Sequence, residues 1–220
     1  MKISGAIFDI DGTVTDSLWV WDGVAQKYLK KHGKTAEPNL EKTLLHKNTS
    51  QIGAYLKEHY FQDSPKTGDE LVWELGKMGA MDYLLRVKLK PGVKPLLKQL
   101  HKNGVKMMVL TANDTRLVKA ALIRNGVYRY FDVILCGSDP ENAKDNPKAF
   151  ENARKILGTP KEETFVFEDS LYAISTAKEA GFPVAAMYDS HEAQPEELKR
   201  ISDFYVNDFN ELLPNLEFGA

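Results

Sequence analysis

The stretch that most constrains this chain is Ala6-Ile7-Phe8-Asp9-Ile10-Asp11-Gly12-Thr13. An apolar, strand-like run stops at two carboxylates placed two residues apart, followed by Gly and Thr. A carboxylate at the tip of a buried strand is costly unless a cation or strong hydrogen bonds compensate it. If the chain stays extended, that spacing puts Asp9 and Asp11 on one side. Paired carboxylates at the C-terminal tip of a strand suit Mg²⁺ binding and phosphoryl chemistry.

The remaining chain is read for elements that would surround such a strand. Residues 3–10 form the first strand. From Ser17 to about Arg86 helix-like stretches dominate, at 17–32, about 50–60 and about 68–86, with turn-prone Gly33 to Pro38 and Gln62 to Pro65 between them. This reads as a small helical domain. Pro91-Gly92 marks a boundary, after which strand and helix signals alternate. A helix from Val93 ends at Asn103-Gly104 and a strand runs from Val105 to Leu110. A helix over 114–124 precedes a strand over 133–136, and a helix over 147–157 precedes a strand over 164–167. A helix over 170–180 then leads to strands at 184–187 and 204–206, and Asn207 to Ala220 reads as a short helix and tail. The alternation predicts a doubly wound parallel sheet, a Rossmann-like α/β core with helices on both faces. Ligands bind such sheets at the carboxyl ends of the strands.

Composition narrows the function classes. The chain has 220 residues, room for one large domain or two small ones. Its 43% hydrophobic and 27% charged residues are those of an ordinary soluble globular protein. A formal net charge of −2 and the lack of a nucleic-acid-type Lys/Arg cluster argue against nucleic-acid or membrane partners. The sole cysteine, Cys136, ends the apolar run Val133-Ile134-Leu135 and reads as a small buried hydrophobe rather than a nucleophile. The N-terminus lacks the layout of a signal peptide and no apolar run could span a bilayer, so a cytoplasmic enzyme is expected.

Chemistry-bearing residues recur at the predicted strand ends. The strand over 105–110 is followed by Thr111-Ala112-Asn113, and the strand over 164–167 by Glu168-Asp169-Ser170. Lys144 lies in the loop before the helix that Pro147 opens. A calcium loop fits Asp9-x-Asp11-Gly12 poorly, because its glycine comes too early and Val20 stands where the closing Glu belongs.

With these residues in order, the chain resembles the haloacid dehalogenase-like superfamily, in its phosphatase branch. The four motifs of that family appear as Asp9 to Thr13, Thr111, Lys144 and Glu168-Asp169. The resemblance implies that Asp9 is a nucleophile forming an aspartyl-phosphate and that Asp11 is the general acid and then base. It implies Mg²⁺ held by Asp9, the Asp11 backbone carbonyl, Asp169 and, indirectly, Glu168. Thr111, Lys144, the amides of Gly12 and Ala112, and Asn113 would hold the phosphate. Pro commonly follows the motif Lys in the family, whereas Asp145 stands here; Lys148 is the rival for that role.

The helical segment resembles the C1 cap, inserted after the first strand. Residues 1–16 and 88–220 would form the catalytic core and 17–87 the cap, with linkers near Asp16-Ser17 and Lys88 to Gly92. Trp19 and Trp21 either line the cleft between cap and core or pack the cap's own core. The polar run His46, Lys47, Asn48, Thr49 and Gln51 is either a substrate-reading loop or an ordinary exposed turn.

The resemblance thus points to a Mg²⁺-dependent phosphomonoester hydrolase acting, as a monomer, on a small phosphorylated metabolite. A phosphosugar mutase is the alternative. It must hold a second phosphate, for which Arg is the best residue, and no Arg lies between Ser17 and Tyr83. Thr13 also matches the phosphatase form of the motif, where the resembling β-phosphoglucomutases carry Val. A third reading, a phospholigand-binding protein without turnover, would not need both Asp9 and Asp11.

Overall fold

The apolar runs of the α/β segment do not alternate with polar residues, the pattern of strands covered on both faces of a parallel sheet. A computed structural model of the chain describes residues 1–45, 47, 49–137 and 141–218. The chain divides into two units, one of Met1–Asp16 with Lys88–Ala220 and one of Ser17–Val87.

The first unit opens with β1 (Lys2–Ile3), β2 (Gly5–Phe8) and β3 (Thr15–Asp16). The second unit holds α1 (Val24–Lys31), α2 (Leu40–Leu45), α3 (Thr49–Tyr60) and α4 (Gly68–Arg86). The first unit then resumes with β4 (Lys88–Leu89), α5 (Val93–Lys102), β5 (Lys106–Thr111), α6 (Thr115–Arg124) and β6 (Val133–Cys136). It continues through α7 (Pro147–Leu157), β7 (Thr164–Glu168), α8 (Leu171–Glu179), β8 (Val184–Met187), α9 (Pro195–Ile201), β9 (Phe204–Val206) and β10 (Glu217–Phe218).

Six strands form one parallel sheet in the order β6-β5-β2-β7-β8-β9. The chain winds outward from β2 through β5 to β6, then returns to β7 on the other side of β2 and winds outward again. The order therefore reverses between β2 and β7, the place where a doubly wound sheet opens a crevice at its carboxyl edge. Phe8 lies level with Val109 and Phe167, so Asp9 leaves the sheet beside the ends of both neighbouring strands.

Packing on both faces keeps this register. On one face Ile7, Met108, Leu110 and Val166 meet Phe150, Ala153, Ile174 and Phe182, all buried. Elsewhere Phe8 stacks on Phe167 with centroids 4.2 Å apart, and Phe209 abuts Phe167 at 5.9 Å. Each large apolar side chain so buried contributes about 1.5–3 kcal/mol. Helix ends are written locally. Asn146 caps α7 through Lys148 N, Pro147 takes its first position, and Gly158 closes it in the left-handed region at φ 68°. Thr67 and Glu70 form a reciprocal capping box on α4.

Three expectations need correction. The first strand is split at Ser4: β1 pairs with β10, and only β2 enters the main sheet. The stretch 17–32 is a short 3-10 turn at Leu18–Val20 and then α1, because Gly23 takes φ 68° and breaks the helix. The C-terminal stretch forms two 3-10 turns and β10, not a helix with a tail. In addition, α2 forms in a stretch with no strong periodic signal. It is held by tertiary contact: Leu40 and Leu44 join Ala25, Tyr28, Leu29, Leu56, Phe61 and Leu71 in the core of the helical unit. Trp21 packs inside that unit, 6.0 Å from the Tyr83 ring, and the Arg86 guanidinium lies 4.9 Å over Trp19. Cys136 is only partly buried, because β6 is an edge strand. Among the described residues no helix is long and apolar enough to cross a membrane.

Gly92 shows how tightly the start of α5 is built. Its φ is 74°, and a Cβ there would lie 2.2 Å from Asp208 Oδ1 and 2.4 Å from Asn210 N. Gly92→Ala is expected to cost about 2 kcal/mol, from backbone strain and overpacking together. Thermal unfolding should register this as a fall in midpoint of about 4–8 °C.

Candidate active site

β2 delivers Asp9, whose backbone N–H donates to Phe167 O at 2.9 Å and so extends the pairing with β7 by one residue. The chain then turns. Gly12 adopts φ 86°, its N–H donates to Thr15 O, and Thr15 N–H donates to Ile10 O at 2.8 Å. The turn follows directly on Asp11, whose charge still acts on Asp9. The Gly12 amide, which the resemblance gave to the phosphate, is bonded within that loop.

The end of β7 supplies Glu168 and Asp169. Glu168 Oε2 accepts from Asp169 N at 2.7 Å, Ser170 N at 2.9 Å and Ser170 Oγ at 2.9 Å. Thr13, fully buried, donates its hydroxyl to Asp169 Oδ1 at 2.9 Å and so ties the first loop to the end of β7. Lys144, only 6% exposed, donates to Asp9 Oδ1 and, at 2.5 Å, to Glu168 Oε1. Lys148, the rival, is exposed on α7.

At the end of β5, Thr111 is buried and its Oγ1 accepts from Asn113 N at 3.1 Å. Ala112 follows in the same turn. Asn113 turns its side chain to Asp11, donating from Nδ2 to Oδ2 at 3.0 Å. Asp9, Asp11, Thr111, Asn113, Lys144, Glu168 and Asp169 thus gather at the carboxyl edge of β5, β2 and β7.

In the helical unit Lys47 and Gln51 line a pocket of about 430 Å³ with Thr43, Ala54, Tyr55 and Glu58. Thr49 begins α3 outside that lining, and His46 and Asn48 lie outside the described residues. Reading the sequence alone missed three supports: Thr13 on Asp169, Ser170 on Glu168, and Asn113 on Asp11. Only Ser170 carried a local signal, as a residue type that starts helices, and its hydroxyl is used on Glu168 instead.

The electrostatics follow from burial. Ligand oxygens of Asp9, Glu168 and Asp169 all lie within 4.8 Å of one another, and all three residues are buried. Burial pushes the Asp9 carboxyl up to about 7, Lys144 opposing and the nearby Glu168 and Asp11 charges adding to the rise. Burial likewise raises Asp169 well above its usual range, with Glu168 and Asp9 adding to the rise. Burial would also raise Glu168, but the Lys144 ammonium and the hydrogen bonds from Lys144 and Ser170 hold it below. Burial works against the Lys144 charge too, yet Asp9 and Glu168 outweigh it and keep the ammonium protonated.

With a single Lys144 ammonium bonded to Asp9 and Glu168, burial favours protons on Asp9 and Asp169. Three hard oxygen donors gathered so closely fit a divalent cation of the Mg²⁺ type, which would take the place of those protons.

Known proteins resemble the chain over most of its length. Residues 6–187 match the family described as haloacid dehalogenase-like hydrolase. The pyrophosphatase PpaX of Halalkalibacterium halodurans is 28% identical over 189 residues, covering 85% of this chain and 84% of that protein. A phosphorylated carbohydrates phosphatase of Thermotoga maritima is 26% identical over 180 residues, covering 81% and 82%. The structure of CbbY from Rhodobacter sphaeroides in complex with phosphate superposes with a TM-score of 0.82 at 21% identity, covering 96% of each chain. The chain belongs to the haloacid dehalogenase-like hydrolases. Within them it is an enzyme of the phosphatase branch.

The charge balance has a measurable consequence. Asp9 titrates near 7 in the folded chain and near 3.8 when unfolded, so its ionisation opposes folding. Its contribution to stability is full below about pH 4 and is lost as pH rises through about 7. A divalent cation competes with that proton. Mg²⁺ should therefore raise the thermal midpoint more at pH 8 than at pH 5.5, measured against chelator at each pH. Equal rises at both would contradict a cation held by Asp9.

Proposed function

We propose that this enzyme hydrolyses the phosphomonoester of a small metabolite through an aspartyl-phosphate on Asp9, with Mg²⁺ as cofactor. The observation that carries the reading is the buried Lys144 ammonium bound to both Asp9 and Glu168, with Asp169 beside them.

An anionic nucleophile approaches a phosphate dianion only where charge is neutralised. Asp9, Asp169 and Glu168 would hold the cation, which when bound supplies the countercharge for the carboxylates and the phosphoryl oxygens. Asp9 attacks phosphorus while the bond to the leaving oxygen breaks, and Asp11 gives its proton to that oxygen. In the second step Asp11 takes a proton from water, whose oxygen attacks the phosphorus of the aspartyl-phosphate. Asp9 is released as carboxylate, and one water is consumed for one alcohol and one phosphate. Thr111 and Lys144 hold phosphate oxygens by hydrogen bond and charge.

Hydrolysis, not phosphoryl transfer between sugar positions, is favoured by Thr13, which braces Asp169, and by the absence of Arg from 17–83. The substrate carries one phosphate at the reacting end and polar groups elsewhere. Lys47 and Gln51, which share a pocket of about 430 Å³, are the candidates for reading those groups.

The first experiment is phosphate release from a panel of phosphorylated sugars, nucleotides and small acids, with Mg²⁺ and with chelator. Asp9→Asn should lower turnover by at least about 10³-fold while leaving the circular dichroism spectrum unchanged. Retained activity in this variant would sink the covalent mechanism. On the best substrate Lys47→Ala should raise KM by about 3–10-fold with kcat within about 2-fold, the pattern of lost ground-state binding. A matching fall in kcat would instead place Lys47 in the chemical step.

A further inference from the structure

Asn113 stands two residues beyond β5, where its backbone N–H is taken by Thr111 Oγ1 at 3.1 Å. Its side chain is held at both ends. Asp114 N–H donates to Asn113 Oδ1 at 2.7 Å, and Asn113 Nδ2 donates to Asp11 Oδ2 at 3.0 Å. A backbone N–H can only donate, so the amide oxygen must face Asp114 and the NH₂ group must face Asp11. The backbone thus sets which way round the amide sits.

This contact joins two segments 102 residues apart in sequence. Asp11 sits at the start of the tight loop that Gly12 closes with φ 86°, and it is only partly buried. The terminal torsion of an Asp side chain is broad and nearly two-fold, so little in the residue itself fixes the plane of its carboxyl group. A donor on Oδ2 does fix it. The direction in which the group can deliver a proton is then fixed as well. Proton delivery is sensitive to such placement: an error of about 1 Å can cost about 10²-fold in rate.

From this geometry we infer that Asn113 is a positioning residue for Asp11, holding the carboxyl group in the plane from which it protonates the leaving oxygen. The inference rests on the phosphatase reading above, in which Asp11 is the general acid. It gives Asn113 a task other than holding phosphate, and one that acts through Asp11 alone. A simple structural role for Asn113 would affect all substrates alike. A role in aiming the acid affects only those whose leaving group needs a proton.

The test compares two substrates by the single-turnover rate of leaving-group release. One is the best alkyl phosphate from the panel, whose alkoxide must be protonated. The other is acetyl phosphate, whose leaving carboxylate needs no proton. Asn113→Ala removes the donor. Acetate release by the same variant reports whether the site is still folded. Asn113→Ala should release the alcohol about 10²-fold more slowly, release acetate within about 3-fold of wild type, and keep the half-saturating concentrations unchanged. An equal loss on both substrates, or a change confined to half-saturation, overturns the role of Asn113 and leaves the phosphatase reading intact. A wild type that releases phosphate from neither compound overturns the phosphatase reading and the inference with it.

Discussion

The structure of the α/β unit depends on one interaction: a buried ammonium, Lys144, set between the carboxylates of Asp9 and Glu168 with Asp169 alongside. Like charges this close and this buried repel, and removal from water makes each ionised form costly. A single lysine offsets part of that cost. The rest of the local architecture adds hydrogen bonds to the carboxylates, two N–H groups and a hydroxyl on Glu168, and the Thr13 hydroxyl on Asp169. Burial meets the rest by favouring protons on Asp9 and Asp169, and the three carboxyl groups together are a donor set that fits a divalent cation. Stability has been given up locally in a way that suits the chemistry.

The sheet brings these groups together at no cost in special loops. Reversal of strand order between β2 and β7 leaves no crossover helix covering the carboxyl edge there. The last residues of three adjacent strands therefore open onto one space. Asp9, Thr111 and Glu168 all arrive on rigid elements whose apolar faces are locked by packing from both sides. Lys144 is the exception, coming from the loop before α7, and it is anchored by the ionic contacts themselves. A site so built has Asp9 on the most constrained strand and Asp11 on a turn, where the amide of Asn113 holds its carboxyl group.

The helical unit follows a different logic. Its core is small, built from Tyr28, Leu29, Leu40, Leu56, Phe61 and Leu71, and polar contacts supplement it. The Tyr28 hydroxyl and Lys66 ammonium both bind Glu74, at 2.7 Å each. Glu74 stays ionised because those two donors hold it below its usual range. The side chains that give this unit its polar pocket, Lys47 and Gln51 among them, differ in kind from the carboxylates of the other unit.

By itself the sequence determined a doubly wound parallel sheet, its buried strands and the four segments that deliver the chemical groups. Buried parallel strands must be continuously apolar, and a polar residue at the end of such a run is conspicuous, so Asp9, Thr111 and Glu168-Asp169 could be read without coordinates. Helix ends were equally legible where Asn146, Pro147 and Gly158 wrote them. Only the tertiary structure decided what depends on meetings between distant residues. Among these are the contact of Lys144 with Asp9, the bonding of the Gly12 amide within its own turn, and the pairing of β10 with β1. The grip of Thr13 on Asp169 and of Asn113 on Asp11 belongs with them, across 156 and 102 residues. Local propensity encodes periodicity and turns, whereas a hydrogen bond across such a separation exists only once the sheet has brought its ends together.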